Sequence, residues 1–161
     1  DVIRENAPFS LLVDWNTVDL HHVEDGNRIE LGKGWIELRR VAHREALPTG
    51  TLSFFIAGTD RNLYYVSDID EWTDAALASV READVALVDG TFYSRDELDR
   101  IESVPHPTMR NTMNRLADTT TDVYFTHLNH SNPALRPDTD ARRELQNRGF
   151  GVVERGDTFE L

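Results

Sequence analysis

The sequence contains no cysteine. That excludes disulfides and thiolate metal sites, and leaves histidine and carboxylate as the groups able to hold a transition metal. Lysine occurs once, at Lys33, so arginine carries the rest of the positive charge. Positive charge is short overall: 17 Lys and Arg stand against 29 Asp and Glu, a formal net charge of -12. Phosphate backbones need a cationic footprint, and no basic cluster supplies one, so nucleic acid is not expected as a partner. No apolar run approaches the length of a bilayer span, and the N-terminal Asp-Val-Ile-Arg-Glu-Asn is not a signal peptide. A soluble, cytoplasmic protein is expected. An initiating methionine is missing too, and the opening around Asn6-Ala-Pro-Phe-Ser10 reads as cut from something longer.

What is present suffices for one core: 161 residues, 39% hydrophobic, expected to form a single domain or partial domain over 1–161. Alternation in Arg28–Leu31 and Trp35–Val41 about Gly32-Lys-Gly34 predicts a β-hairpin. Thr51–Ala57 and Leu63–Val66 about Gly58–Asn62 predict a second. A helix is expected within Glu71–Ala83, with Thr73 and Asp74 near its start, then a short apolar strand over Val85–Val88. Ser94 with Glu97 fits a capping box, predicting a short helix to about Ile101. Met109, Met113 and Leu116 mark a helix face, with Pro107 in the first turn. Val123–Phe125 predicts a strand running into His127, Asn129 and His130. A charged helix over Asp138–Arg148, closed by Gly149, and a last hairpin from Phe150–Val153 to Thr158–Leu161 complete the chain. The adjacent His21 and His22 fall on an expected strand. The order of elements predicts an α/β (α+β) sheet with helices on one face.

The strands stop in an informative way. Four of them finish within a residue or two of His43, Asp68, Asp89 and His127, and sites collect where strand ends give way to loops. Imidazoles and carboxylates on one edge would make a nitrogen and oxygen site for zinc, iron or manganese. Each residue also has an ordinary reading: Asp68, Asp70 and Asp89 as helix caps or turn formers, the histidines as partners of loop carbonyls.

The segments Val41-Ala-His-Arg-Glu45, Tyr65-Val-Ser-Asp-Ile-Asp-Glu-Trp72, Val88-Asp-Gly-Thr-Phe-Tyr93, Val104-Pro-His-Pro107 and Phe125-Thr-His-Leu-Asn-His-Ser-Asn-Pro133 resemble, in this order, the C-terminal half of metallo-β-lactamase-fold hydrolases. The resemblance runs to the branch of pyrroloquinoline-quinone biosynthesis protein B. It implies an αββα sandwich of which this chain is mainly the C-terminal half. It also implies a divalent metal, zinc first and iron or manganese next. His43, Asp68 and His127 are the metal ligands it implies, Asp68 bridging two ions. Asp68 and His106 would be the catalytic pair, with Asp89, Asn129 and His130 behind the ligands or toward the substrate. The family's N-terminal His-x-His-x-Asp-His motif has no counterpart here, so part of the ligand set and the partner sheet are expected to be missing. A small-molecule or peptide substrate is implied, with a homo-oligomer or an N-terminal half covering the sheet. The competing readings are a metal-free binding or carrier module and a structural half-domain that needs a partner.

Overall fold

The structure is a computed structural model that describes residues 2–44, 50–97 and 104–161. Seven strands form one mixed sheet in sequence order. They are β1 (Arg28–Leu31), β2 (Gly34–Val41), β3 (Thr51–Ala57), β4 (Asn62–Val66), β5 (Val85–Asp89), β6 (Asp122–Thr126) and β7 (Gly151–Val152). The two expected hairpins are both there, so β1 to β4 pair antiparallel. From β4 onward the pairing is parallel. Parallel neighbours need a crossover, and three helices supply them: α3 (Asp74–Glu82), α4 (Met109–Arg115) and α5 (Asp140–Asn147). Two N-terminal helices, α1 (Val2–Glu5) and α2 (Phe9–Asp14), bury none of their residues.

Each crossover helix starts in the same way. Thr73, Thr108 and Thr139 accept a hydrogen bond from the amides of Ala76, Asn111 and Arg142, satisfying a donor that the first turn would otherwise leave open. Loss of one such cap costs about 1 kcal/mol. Thr108 as cap also places Pro107 just ahead of α4 rather than inside its first turn. The expected helix from Ser94 is a single 3-10 turn over Arg95–Glu97, and its continuation to Ile101 lies outside the described residues.

Register decides what each face of the sheet meets. Phe55, Tyr64, Ala86 and Val123 form one row across the sheet, and Val66, Val88, Phe125 and Val152 the next. These rows join Trp72, Val80, Met109, Met113 and Leu145 in one core, several of them with no exposure at all. The opposite face is apolar as well: Ile36, Phe54, Ile56, Tyr65, Leu87 and Tyr124 are half-buried there, while Leu38, Leu63 and Val85 on the same face are buried. The sheet thus has helices on one face and a half-covered apolar face on the other.

Two expectations are corrected. The final hairpin does not form: β7 pairs in parallel with β6, and residues 158–161 are not a strand. After a turn in which Asp157 accepts from the Glu154 amide, the tail crosses the sheet edge instead. Phe159 meets the Tyr124 ring edge-on at 5.3 Å, and the Leu161 carbonyl accepts from Thr59 Oγ1. His21 and His22 lie on no strand; both are exposed, so no buried face demanded one.

Candidate metal centre

β2, β4, β5 and β6 all run in the same direction, because two antiparallel steps separate β2 from β4 and parallel steps follow. Their C-terminal ends therefore share one edge of the sheet. His43 lies two residues beyond β2, Asp68 two beyond β4, Asp89 is the last residue of β5, and His127 directly follows β6. Topology alone brings together four residues spread over most of the chain.

Asp89 is the hub. Its side chain is fully buried, and it accepts hydrogen bonds from the amides of Asp68 at 2.8 Å, Ile69 at 3.3 Å and Thr91 at 2.9 Å. It also faces His106 Nδ1 at 3.1 Å. Burial pushes an acid toward its neutral form, but the hydrogen bonds from His106 and Thr91 outweigh that and hold Asp89 below the ordinary carboxylate range. Burial likewise disfavours the His106 imidazolium, yet the hydrogen bond to Asp89 and the charges of Asp89, Asp68 and Asp70 raise it above the usual imidazole value. Gly90 lets the loop pass close over β6: a Cβ there would come within 2.9 Å of both Phe125 Cβ and the Thr126 carbonyl oxygen.

The imidazoles are held in a common manner, by Nδ1. His43 donates from Nδ1 to Asp70 Oδ1 at 2.9 Å, while its Nε2 lies 3.5 Å from Asp68 Oδ2. Asp70 Oδ2 accepts from the Arg44 amide. His106, tied to Asp89 through Nδ1, has its Nε2 3.7 Å from Asp68 Oδ1. His127 Nδ1 lies 3.1 Å from Thr91 Oγ1 and 3.7 Å from Asp89 Oδ2. The same Thr91 hydroxyl is 3.2 Å from His106 Nδ1. The His106 ring centroid stands 6.2 Å from that of His43 and 6.1 Å from that of His127. Asp68 and His127 both adopt left-handed backbone, at φ 58° and 57°, a conformation that non-glycine residues avoid and that clusters at functional sites.

Not every expected site residue joins the group. His130 is exposed and makes no hydrogen bond or ion pair with it. The Asn129 side chain stays within its own loop, Nδ2 donating to Ser131 Oγ, which in turn donates to Glu97, while its backbone amide donates across to the Thr91 carbonyl. Asn132, which sequence reasoning passed over, is 2% exposed. Its Nδ2 donates to the Gly90 carbonyl at 2.7 Å and its Oδ1 accepts from the Ala134 amide, clamping the His127 loop onto the Asp89 loop. Thr91 was also missed as a site residue, and Asp70 was read only as a cap or turn former. The signal available for both was position, two residues after Asp89 and two after Asp68.

Metal-bound histidines characteristically present one ring nitrogen to the ion while the other is tied to a carboxylate or hydroxyl. His43, His106 and His127 match in having Nδ1 tied, and at His43 and His106 the Nε2 atom faces Asp68. The donor chemistry, imidazole and carboxylate without thiolate, suits zinc, iron or manganese. The set is open, however: among the described residues, no three His, Asp or Glu side chains are grouped so that they could hold a metal ion by themselves. These residues fit part of a metal site.

Among the described residues, no helix is long and apolar enough to cross a membrane. Residues 1–128 match the family described as beta-lactamase superfamily domain. Among curated relatives, coenzyme PQQ synthesis protein B of Ruegeria pomeroyi is 25% identical over 96% of this chain and 66% of its own length. The Nitrosococcus oceani protein of that name is 27% identical over 95% of this chain and 60% of its own. The chain thus spans less than two thirds of these relatives. Zn(2+)-bound PqqB from Methylobacterium extorquens superposes with a TM-score of 0.73 at 22% identity, covering 86% of this chain and 55% of that one. A diphosphatase of the PhnP family superposes with a TM-score of 0.62 at 21% identity, over 89% of this chain and 49% of that one; at these identities both likenesses speak for the fold. With four strand ends delivering imidazole and carboxylate to one edge and most of its length matching the family, this chain belongs to the beta-lactamase superfamily and carries the metallo-β-lactamase fold.

Proposed function

We propose that this chain forms part of the metal centre of a metal-dependent hydrolase related to coenzyme PQQ synthesis protein B, acting on a small-molecule or peptide substrate. One observation carries the reading: the Nε2 atoms of His43 and His106 face the two carboxylate oxygens of Asp68, while Asp70 and Asp89 hold the opposite ring nitrogens. His43, Asp68 and His127 would contribute to holding a divalent ion, zinc first and iron or manganese next, with further donors from outside the described residues completing the set. Such an ion brings the pKa of a bound water down to about 7 and polarises the bond under attack.

The chain's own residues supply geometry. Asp68, with an oxygen facing each of two imidazoles, would be a ligand of the ion. Asp70 and Asp89 fix the ring tautomers so that Nε2 carries the free lone pair. His106 Nε2, facing the Asp68 oxygen that His43 does not, would hold or pass a proton at the reacting centre. Thr91 links the two histidines on that side.

Titration calorimetry with zinc tests the reading. The 161-residue chain, whose open donor set supplies only part of a site, should bind zinc weakly. Asp68→Asn and His43→Ala should abolish that binding, and Asp70→Ala should weaken it further, by about 10- to 100-fold, as loss of a partner behind a ligand does. No zinc binding, or equal binding by Asp68→Asn, would leave the metal-free binding module as the better account.

A further inference from the structure

Beside the histidines lies a cavity of about 220 Å³ whose walls include the acidic Asp70 and Glu71 as well as Arg95, His106, Asn111 and Arg115. It shares Asp70 and His106 with the metal centre, so whatever occupies it lies against the reacting edge. Asp70 is already engaged, one oxygen on His43 and the other on the Arg44 amide. Arg95 and Arg115 are different. Neither guanidinium makes a hydrogen bond or ion pair among the described residues, whereas Arg28, Arg39, Arg61, Arg110, Arg142 and Arg143 pair with carboxylates. Arg136 and Arg155 are likewise without such a partner among the described residues, but of these four only Arg95 and Arg115 share this cavity. Two uncompensated forks on one cavity are a receptor for an oxyanion, since guanidinium matches carboxylate and phosphate with two parallel N–H bonds. Pockets that take a whole drug-sized ligand run to about 300–1,000 Å³, so this one holds one group of a larger molecule.

We propose that this cavity is the anion subsite of the metal centre, where Arg95 and Arg115 bind a carboxylate or phosphate group of the substrate and Asn111 adds an amide contact. The subsite rests on the function proposed above, and it makes the substrate an anion whose charged group lies on the His106 side of the reacting bond. A neutral analogue would leave two cations unpaired, which sets the selectivity.

The test uses the metal-free 161-residue chain, so that no ion can capture the probe. Inorganic phosphate and succinate are titrated separately while the arginine side-chain N–H resonances are followed. Saturable shifts of Arg95 and Arg115 are expected with at least one probe, and the tighter of the two tells phosphate from carboxylate. Arg95→Gln and Arg115→Gln should each weaken binding at least tenfold, Arg115→Lys should retain part of it, and Arg155→Gln, which lines no part of the cavity, should change nothing. Absence of saturable shifts with both probes, or an equal loss in Arg155→Gln, overturns the subsite. Zinc titration in parallel separates the two ideas: zinc binding without an anion response sinks the subsite alone, and an anion response without zinc binding sinks the metal reading while leaving an anion site.

Discussion

The two halves of the sheet share one hydrogen-bonded ladder yet do different work. The antiparallel half, β1 to β3, is built from local hairpins, and its outermost strand β1 is exposed along its whole length. The parallel half, β4 to β7, is assembled through helices, and β5 buries four of its five residues. The difference is a consequence of connection. A hairpin returns the chain to the same edge with its side chains free to face solvent, whereas a parallel pair forces a crossover that covers one face and leaves the strand ends opening onto a common edge. Three of the four polar strand ends come from the parallel half. His43 arrives from β2 only because that strand runs in the same direction.

The comparison can be broken most severely at Asp89. Asp89→Ala removes the acceptor for three amides and an imidazole in a fully buried position. Removing one member of a buried charged pair costs about 3–5 kcal/mol. Urea denaturation should show a loss of this order, and a loss under about 1 kcal/mol would mean the parallel half does not depend on its buried carboxylate. Asn132→Ala comes next. It strands the Gly90 carbonyl and the Ala134 amide, and should cost about 2 kcal/mol by the same measurement.

A milder probe is acid. Hydrogen bonds from Tyr93 and Arg110 hold Glu144 on α5 below its ordinary value, tying α5 to α4 and to the loop after β5. A depressed carboxylate contributes stability that is present above its unfolded pKa and lost as pH falls through its folded one. The gap in melting temperature between the parent and Glu144→Gln should therefore be open at neutral pH and close as the solution is acidified below the normal glutamate range. A gap that stays constant would show that the ion pair is not its source. The smallest effect belongs to the antiparallel rim: Ile29→Ser on exposed β1 should change stability by no more than about 0.5 kcal/mol.

The contrast also explains what could be read from the residues alone. Hairpins announce themselves by alternation about a glycine turn, and both were legible. So were the apolar runs ending at Asp68, Asp89 and His127, because strand and polar residue are adjacent in the chain. Long-range polar contacts carry no such mark: nothing near Thr91 says that its hydroxyl will lie between His106 and His127, and nothing near Asn132 says that it will reach Gly90. The expected final hairpin failed for the same reason. Phe150–Val153 has the composition of a strand, but its partner was fixed by β6, a non-local neighbour, and not by the segment that follows it.

Because the Asp89 carboxylate is sealed and saturated by the chain's own donors, folding alone fixes the shape of this edge. Under the function proposed above, loading an ion would be a matter of occupancy and not of rearrangement. Exchanging one divalent cation for another should leave the loops where they are, so that discrimination among cations falls to the hardness and number of the donors offered.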